Sequence, residues 1–279
     1  MSDSPRRYET GGAVTSADGT IIGSRQPLHG GLVTLRFDPE LRMFLDSRHR
    51  GDQVEAGYDG TSSLGHLVES LGVPLTEVGE LLIGEHMAAA SQRVRPGQPV
   101  TVRQVGRPQE VPGGAPRFCL DVHLGALARR LRLLGQDTAY QNDAGDDELA
   151  AQARAEGRML LTQDRGLLRR RAVALGAYVR GRDPDAQLYD VLDRFAPPLT
   201  PWTRCSACNG LLAPVPKHEI EHLLQPGTRR TYDAFARCGS CGRLYWRGAH
   251  ARRLAPLVHN ARLVVGARRQ PGQLETAAG

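Results

Sequence analysis

Lysine is almost absent. Lys217 is the only one among 36 basic residues, so arginine carries the positive charge, a compositional skew to which no function attaches. Long apolar runs are missing too. No stretch approaches the ~18 uninterrupted apolar residues of a membrane span, and the start, MSDSPRRYET, lacks the apolar core of a signal peptide. Membrane partners and secretion are therefore not expected. Cysteine is scarce, five in 279 residues, and four of the five fall in two Cys-x-x-Cys pairs. That usage argues against a disulfide framework and for metal ligation in a reducing, cytoplasmic setting. There is no Walker loop and no strand-linked G-x-G-x-x-G, so nucleotide cofactors are unsupported. No Ser-His-Asp or Cys-His arrangement can be assembled from the spacing. What is present is a globular composition, 40% apolar and 24% charged, in a chain long enough for two or three domains.

The net charge of +6 is unevenly spread: −3 over residues 1–116, +1 over 117–199 and +8 over 200–279. A basic final third beside an aspartate-rich middle suggests an anionic polymer as partner, with a merely solvated surface as the alternative. Residues 1–30, rich in Gly, Ser, Thr and Asp without apolar period, read as a disordered tail. From Gly31 to Gly106, a strand-like run at 31–37, a helix behind Ser63 (Leu64, Leu67, Val68, Leu71) and further strands near 79–83 and 100–105 describe a small α+β unit. Residues 107–116, with Pro108, Pro112 and Pro116, read as a linker.

Residues 117–198 alternate strand and helix. Strands are predicted at 118–121, 138–140, 158–162 and 177–180, and helices at 124–134, 147–155 and 166–175, with Arg129, Arg130 and Arg132 on an outer surface. This pattern predicts a parallel α/β sheet, in which ligands bind beyond the carboxyl ends of the strands. Asp121, Asp143, Asp146, Asp147, Asp164, Asp183 and Asp185 all follow strands. Clustered like charges need a cation, and an oxygen-only donor set favours Mg²⁺ or Mn²⁺. Such an ion can polarise a phosphate and activate water. Asp121 and Asp164 are the strongest ligand candidates, and Thr162 is placed to orient one of them. Asp146 reads equally as a helix cap, Asp137 as a turn residue, and Asp183 and Asp185 as turn chemistry around Pro184.

Cys205-x-x-Cys208 and Cys238-x-x-Cys241 form two knuckles, 29 residues apart, suited to a tetrahedral structural zinc. Cys119 stands on an apolar strand and reads as core. His218-Glu-Ile-Glu-His222 matches the H-E-x-x-H metalloprotease pattern, but Pro216 and Pro226 leave it about two turns of helix and no third ligand is evident. Arg243, Tyr245, Trp246, Arg247 and His250 combine aromatic faces with cations, a composition that suits stacking on bases and pairing with phosphates. Packing of Tyr245 and Trp246 into the small zinc domain is the alternative.

Phe118-Cys-Leu-Asp121, Leu124-Gly-x-Leu-Ala-Arg-x-Leu-Arg132, Leu134-Gly-x-Asp137, Asp146-Asp-Glu-Leu149 and Leu160-Leu-Thr-Gln-Asp164 resemble the Mut7-C family of PIN-like ribonuclease domains, over about residues 117–256. Val33–Phe37, Leu71–Val78 and Arg95–Val102 resemble the ubiquitin-like β-grasp domain often found in front of it. The resemblance implies a multidomain α+β and α/β chain: β-grasp domain at 31–106, PIN-like parallel-sheet nuclease at 117–198, zinc ribbon at 199–256 and a tail at 257–279. It implies a metal-dependent ribonuclease with Asp121, Asp147 and Asp164 as catalytic metal ligands and Asp143 and Asp146 as auxiliaries. RNA is the implied partner, as tRNA, rRNA or ribosome, and the β-grasp domain is a possible protein-binding module. Gln163 stands where the family pattern has arginine, which removes a possible phosphate contact. A non-catalytic RNA- or ribosome-binding factor is the rival reading. A sulfur-carrier role is disfavoured because Gly113-Gly114 is internal.

Overall fold

The computed structural model describes residues 31–269; the tail expected over 1–30 and the last ten residues lie outside them. The first unit contains β1 (Gly31–Phe37), β2 (Gln53–Tyr58), α1 (Leu64–Ser70), β3 (Val78–Ile83), β4 (His86–Met87) and β5 (Val100–Gln104). Its sheet runs β2-β1-β5-β3-β4, with β1 parallel to β5 and the other pairs antiparallel. Alternation explains β2: Val54, Ala56 and Tyr58 are buried while their neighbours face water. The Ser63 hydroxyl accepts the His66 amide at 3.2 Å and starts α1, whose Leu64, Leu67 and Val68 join the core of this β-grasp unit.

The second unit is built from β6 (Phe118–Leu120), α2 (Gly125–Leu133), β7 (Thr138–Tyr140), α3 (Asp146–Glu156), β8 (Met159–Thr162), α4 (Arg165–Leu168), β9 (Gly176–Tyr178) and α5 (Pro184–Phe195). The sheet is parallel throughout, in the order β7-β6-β8-β9. Phe118, Leu120 and Leu161 pack with α2 and α5 on one face, and Cys119 and Leu160 with α3 and α4 on the other. The chain thus leaves β6 over one face and returns to β8 over the opposite one. The crevice between the carboxyl ends of β6 and β8 is the topological switch point, where open α/β sheets bind ligands.

Three expectations are corrected here. The helix expected over 166–175 is only four residues long. Asp183 is neither ligand nor plain turn: it accepts the Asp185 and Ala186 amides at 3.0 and 2.9 Å and caps α5, with Pro184 in the first turn. Arg132 is buried rather than outward, because its guanidinium bonds the carbonyls of Thr138 and Ala207 at 2.9 and 2.8 Å.

The third unit holds β10 (Leu212–Val215), α6 (Lys217–Ile220), α7 (Pro226–Thr231), β11 (Phe235–Cys238) and β12 (Leu244–Trp246), the strands forming an antiparallel sheet. It docks at the amino-terminal edge of the parallel sheet. There the Asn209 side chain accepts the Thr138 amide at 3.0 Å and donates to Asp137 at 2.8 Å. Asp137 is consequently more than a turn residue. Burial opposes its ionisation, but Arg158 and Asn209 outweigh that and hold its carboxyl below the usual range. Gly135 (φ +86°) is required at this junction, since a Cβ would lie 2.2 Å from the Thr200 carbonyl oxygen.

The tail expected at 257–279 is also corrected. α8 (Ala249–Arg269) continues through Pro256, and Val258, Ala261 and Val265, one helical stripe, pack with α5 in the main core. No helix among the described residues is long and apolar enough to cross a membrane.

The linker expected at 107–116 is fastened to the parallel-sheet unit. Arg107 pairs with Asp190 and Asp193 at 2.8 and 2.9 Å, and the Arg194 guanidinium donates to the Gln109 side chain at 2.7 Å. Across the same junction Arg194, 1% exposed, holds both oxygens of Glu77, 2% exposed, at 2.8 Å. The second link is aromatic: Phe44 meets Tyr178 edge to face at 5.2 Å, and Arg165 lies over the Phe44 ring at 5.3 Å.

Candidate active site and metal centre

Asp121 follows β6 and Thr162 ends β8, so parallel pairing brings them side by side across the switch point. The Thr162 hydroxyl donates to Asp121 Oδ2 at 2.6 Å and accepts the Asp164 amide at 2.9 Å, joining the two aspartates through one side chain. Asp164 caps α4, its Oδ1 accepting the Gly166 and Leu167 amides at 2.6 and 3.3 Å. Only one of its oxygens is occupied in this way. Asp121 is buried, 7% exposed, and beyond Thr162 its carboxylate meets only the His123 amide at 3.4 Å. Among the described residues neither carboxylate is ion-paired with a basic side chain. A buried carboxylate without a cation is costly. The pair therefore suits a hard divalent ion, which commonly takes only one or two protein carboxylates and fills its other positions with water and phosphate.

The other acids do not join them. Asp146 and Asp147 open α3 and both pair with Arg170, and Asp147 is 98% exposed. Asp143 is exposed in the loop before α3. Arg170 was not anticipated as their partner, and nothing in sequence spacing links residues from separate loops. Gln163 ties the loop after β8 to the loop after β9, its amide donating to the carbonyls of Val179 and Gly181 at 3.0 and 2.9 Å.

Among the described residues one group of three or more donors could share a single ion: Cys205, Cys208, Cys238 and Cys241, whose sulfurs lie within 4.8 Å of one another. Cys205 and Cys241 are 3.7 Å apart and Cys208 and Cys238 3.4 Å. A tetrahedron with Zn–S of about 2.3 Å has edges of roughly 3.8 Å, so the cluster could hold zinc with little adjustment. Burial would raise the Cys205 thiol, but the Tyr245 hydroxyl at 3.0 Å and nearby amides bring it down to about 6, favouring the thiolate that zinc requires. Tyr245 is thus drawn into the sulfur cluster. Chelation of zinc, or Cys205→Ser, is expected to abolish amide-exchange protection in β10–β12 and to lower the melting temperature; unchanged protection would refute a structural ion. His218 lies on α6 and His222 in the 3-10 turn beyond it, so H-E-x-x-H is not carried on one helix.

Tyr245, Trp246, Arg247 and His250 line a cleft of about 920 Å³ between the third unit and α2, whereas Arg243 is exposed outside it. The cleft also contains Arg129, Arg130 and Trp202, which the sequence pattern alone does not place there.

A parallel sheet with paired acids at its switch point, followed by a four-cysteine unit and preceded by a β-grasp unit, makes this a multidomain α+β protein. The chain belongs to the Mut7-C family: the Mut7-C RNAse domain matches residues 116–258, and the Mut7-C ubiquitin domain matches residues 31–110. No curated protein and no solved structure matches the chain. The RNase domain makes RNA the implied substrate.

Proposed function

We propose that the protein is a cytoplasmic, divalent-metal-dependent ribonuclease that hydrolyses phosphodiester bonds at Asp121 and Asp164, with RNA held by the basic zinc ribbon. The observation that carries this reading is the nearly buried Asp121 carboxylate, unpaired with any basic side chain among the described residues and coupled through Thr162 to Asp164 at the switch point. Asp121 and Asp164 would hold Mg²⁺ or Mn²⁺. When bound, such an ion polarises the scissile phosphate and lowers the pKa of attacking water. Thr162 fixes the rotamer of Asp121, and the first turn of α4 fixes Asp164. Asp146 and Asp147 stay paired with Arg170, which leaves Asp121 and Asp164 as the two carboxylates that would hold the ion.

Cleavage of total RNA by the purified protein with Mn²⁺, and none without a divalent ion, is the expected result. No cleavage under either condition would leave the rival reading, a non-catalytic RNA-binding factor, which the neutralisation of Asp146 and Asp147 by Arg170 favours. RNA affinity should also fall steeply with salt, log K dropping by about 0.7 per phosphate contact for each tenfold rise in salt. A flat salt response would exclude electrostatic capture by the ribbon.

A further inference from the structure

The cleft between α2 and the zinc ribbon is shaped for a different ligand from the acidic crevice. Its volume, about 920 Å³, lies at the upper end of the ~300–1,000 Å³ that encloses a drug-sized molecule. Trp246 stands 41% exposed on its wall, with Phe235, which also lines the cleft, at a ring distance of 6.3 Å. On the facing side Arg247 lies over the Trp202 ring at 6.0 Å. Four arginines line the cleft against one acid, Asp233, which Lys217 already neutralises at 2.7 Å; Arg130 and Arg204 are paired with Asp185 and Asp137 at 2.7 and 3.5 Å, which leaves Arg129 and Arg247 without an acidic partner among the described residues. Flat aromatic faces among uncompensated guanidinium groups recognise unpaired bases and their phosphates.

We infer that this cleft is the seat of an unpaired RNA segment, one or two bases stacking on Trp246 and Trp202 with the flanking phosphates on Arg129 and Arg247. The cleft is walled by α2, the helix that the chain enters just after Asp121. Arg129 lies eight residues beyond Asp121, through a 3-10 turn at Val122–Leu124 and the first five residues of α2, at most about 12–14 Å of helical rise, a gap spanned by roughly four stacked nucleotides. Arg130 reaches from the cleft to Asp185 in the first turn of α5, which begins at the carboxyl edge of the sheet. The substrate class is therefore RNA with a single-stranded stretch beside the cut, rather than uninterrupted duplex. The inference takes its polymer from the ribonuclease reading but does not depend on the catalytic acids.

The test uses the zinc-loaded full-length protein carrying Asp121→Asn, so that RNA is bound without being cut. Trp202 and Trp246 are the only tryptophans in the chain, and both line the cleft, so intrinsic fluorescence reports on this site. Titration with a 12-nucleotide single-stranded RNA should quench the emission saturably, with affinity at least about tenfold above that for the same sequence as a duplex. Trp246→Ala should cost about five- to a hundredfold in affinity, as loss of one stacked base does, and Trp246→Phe should restore most of it. Zinc content, measured in each variant, confirms an intact ribbon. Equal affinity for duplex, absence of quenching, equally tight binding of polyglutamate, or indifference to Trp246→Ala would each overturn the inference. Quenching by single strands in a protein whose unsubstituted form cleaves no RNA would uphold the inference while removing the hydrolytic reading.

Discussion

Asp121→Asn is expected to remove metal-dependent RNA cleavage, by well over the roughly 10–100-fold that losing an outer hydrogen-bond partner of a metal ligand costs. The amide occupies the same volume and its oxygen still accepts from Thr162, so the rotamer and the fold survive. What disappears is the negative charge that a divalent cation requires. Asp164→Asn should act in the same way but with some loss of stability, because its carboxylate also caps α4. Thr162→Val separates orientation from charge: it retains both carboxylates, removes the hydroxyl between them and should fall within the 10–100-fold range. Initial cleavage rates with Mn²⁺, set beside melting temperatures, check all three. An Asp121→Asn protein that cuts as fast as the parent would refute the assignment outright.

The second large effect belongs to the junction between the first two units. Glu77→Ala is expected to destabilise the protein by about 3–5 kcal/mol, because it strands the Arg194 guanidinium, 1% exposed, without a counter-charge. It also deprives the Tyr178 amide of its acceptor at 2.7 Å. Burial pulls the pKa of Arg194 down and Glu77 opposes it; the guanidinium nevertheless stays protonated, so it cannot escape the penalty by neutralising. Replacing both partners by apolar residues of similar volume, Glu77→Leu with Arg194→Met, should recover part of the loss, since the desolvation of both ions is then avoided while the Tyr178 amide still lacks its acceptor. Urea unfolding measures the difference, and faster proteolysis within 107–116 in Glu77→Ala would show the units separating. A loss below about 1 kcal/mol would mean that water reaches the pair.

Much of the architecture was legible in the sequence because it is written locally. The strands of the parallel unit are short apolar runs, α1 carries its own cap, and two Cys-x-x-Cys pairs admit few readings. The Asp121–Thr162–Asp164 arrangement was legible for a topological reason: strand-end residues of a parallel sheet share an edge. What escaped was set by partners remote in sequence. Arg132 resembles any outward helical arginine until the ribbon supplies carbonyls to it. Asp146 and Asp147 resemble free ligands until Arg170 arrives from another loop. α5 is absent from the expected helices although Asp183-Pro184 ahead of Leu188, Val191, Leu192 and Phe195 is a readable helix start, because the acid that caps it is the same residue type that reads as ligand or turn. α8 was obscured by Pro256, whose missing donor matters little in a helix anchored by Val258, Ala261 and Val265.

Arg165 sits between the two halves of the molecule, one residue from Asp164 in sequence and stacked against Phe44 in space. That wedge ties the β-grasp unit to the first turn of α4, the helix that Asp164 caps. The amino-terminal module is therefore less a detachable handle than a buttress. Any macromolecule gripping it must use surfaces away from Phe44 and Glu77, which are buried.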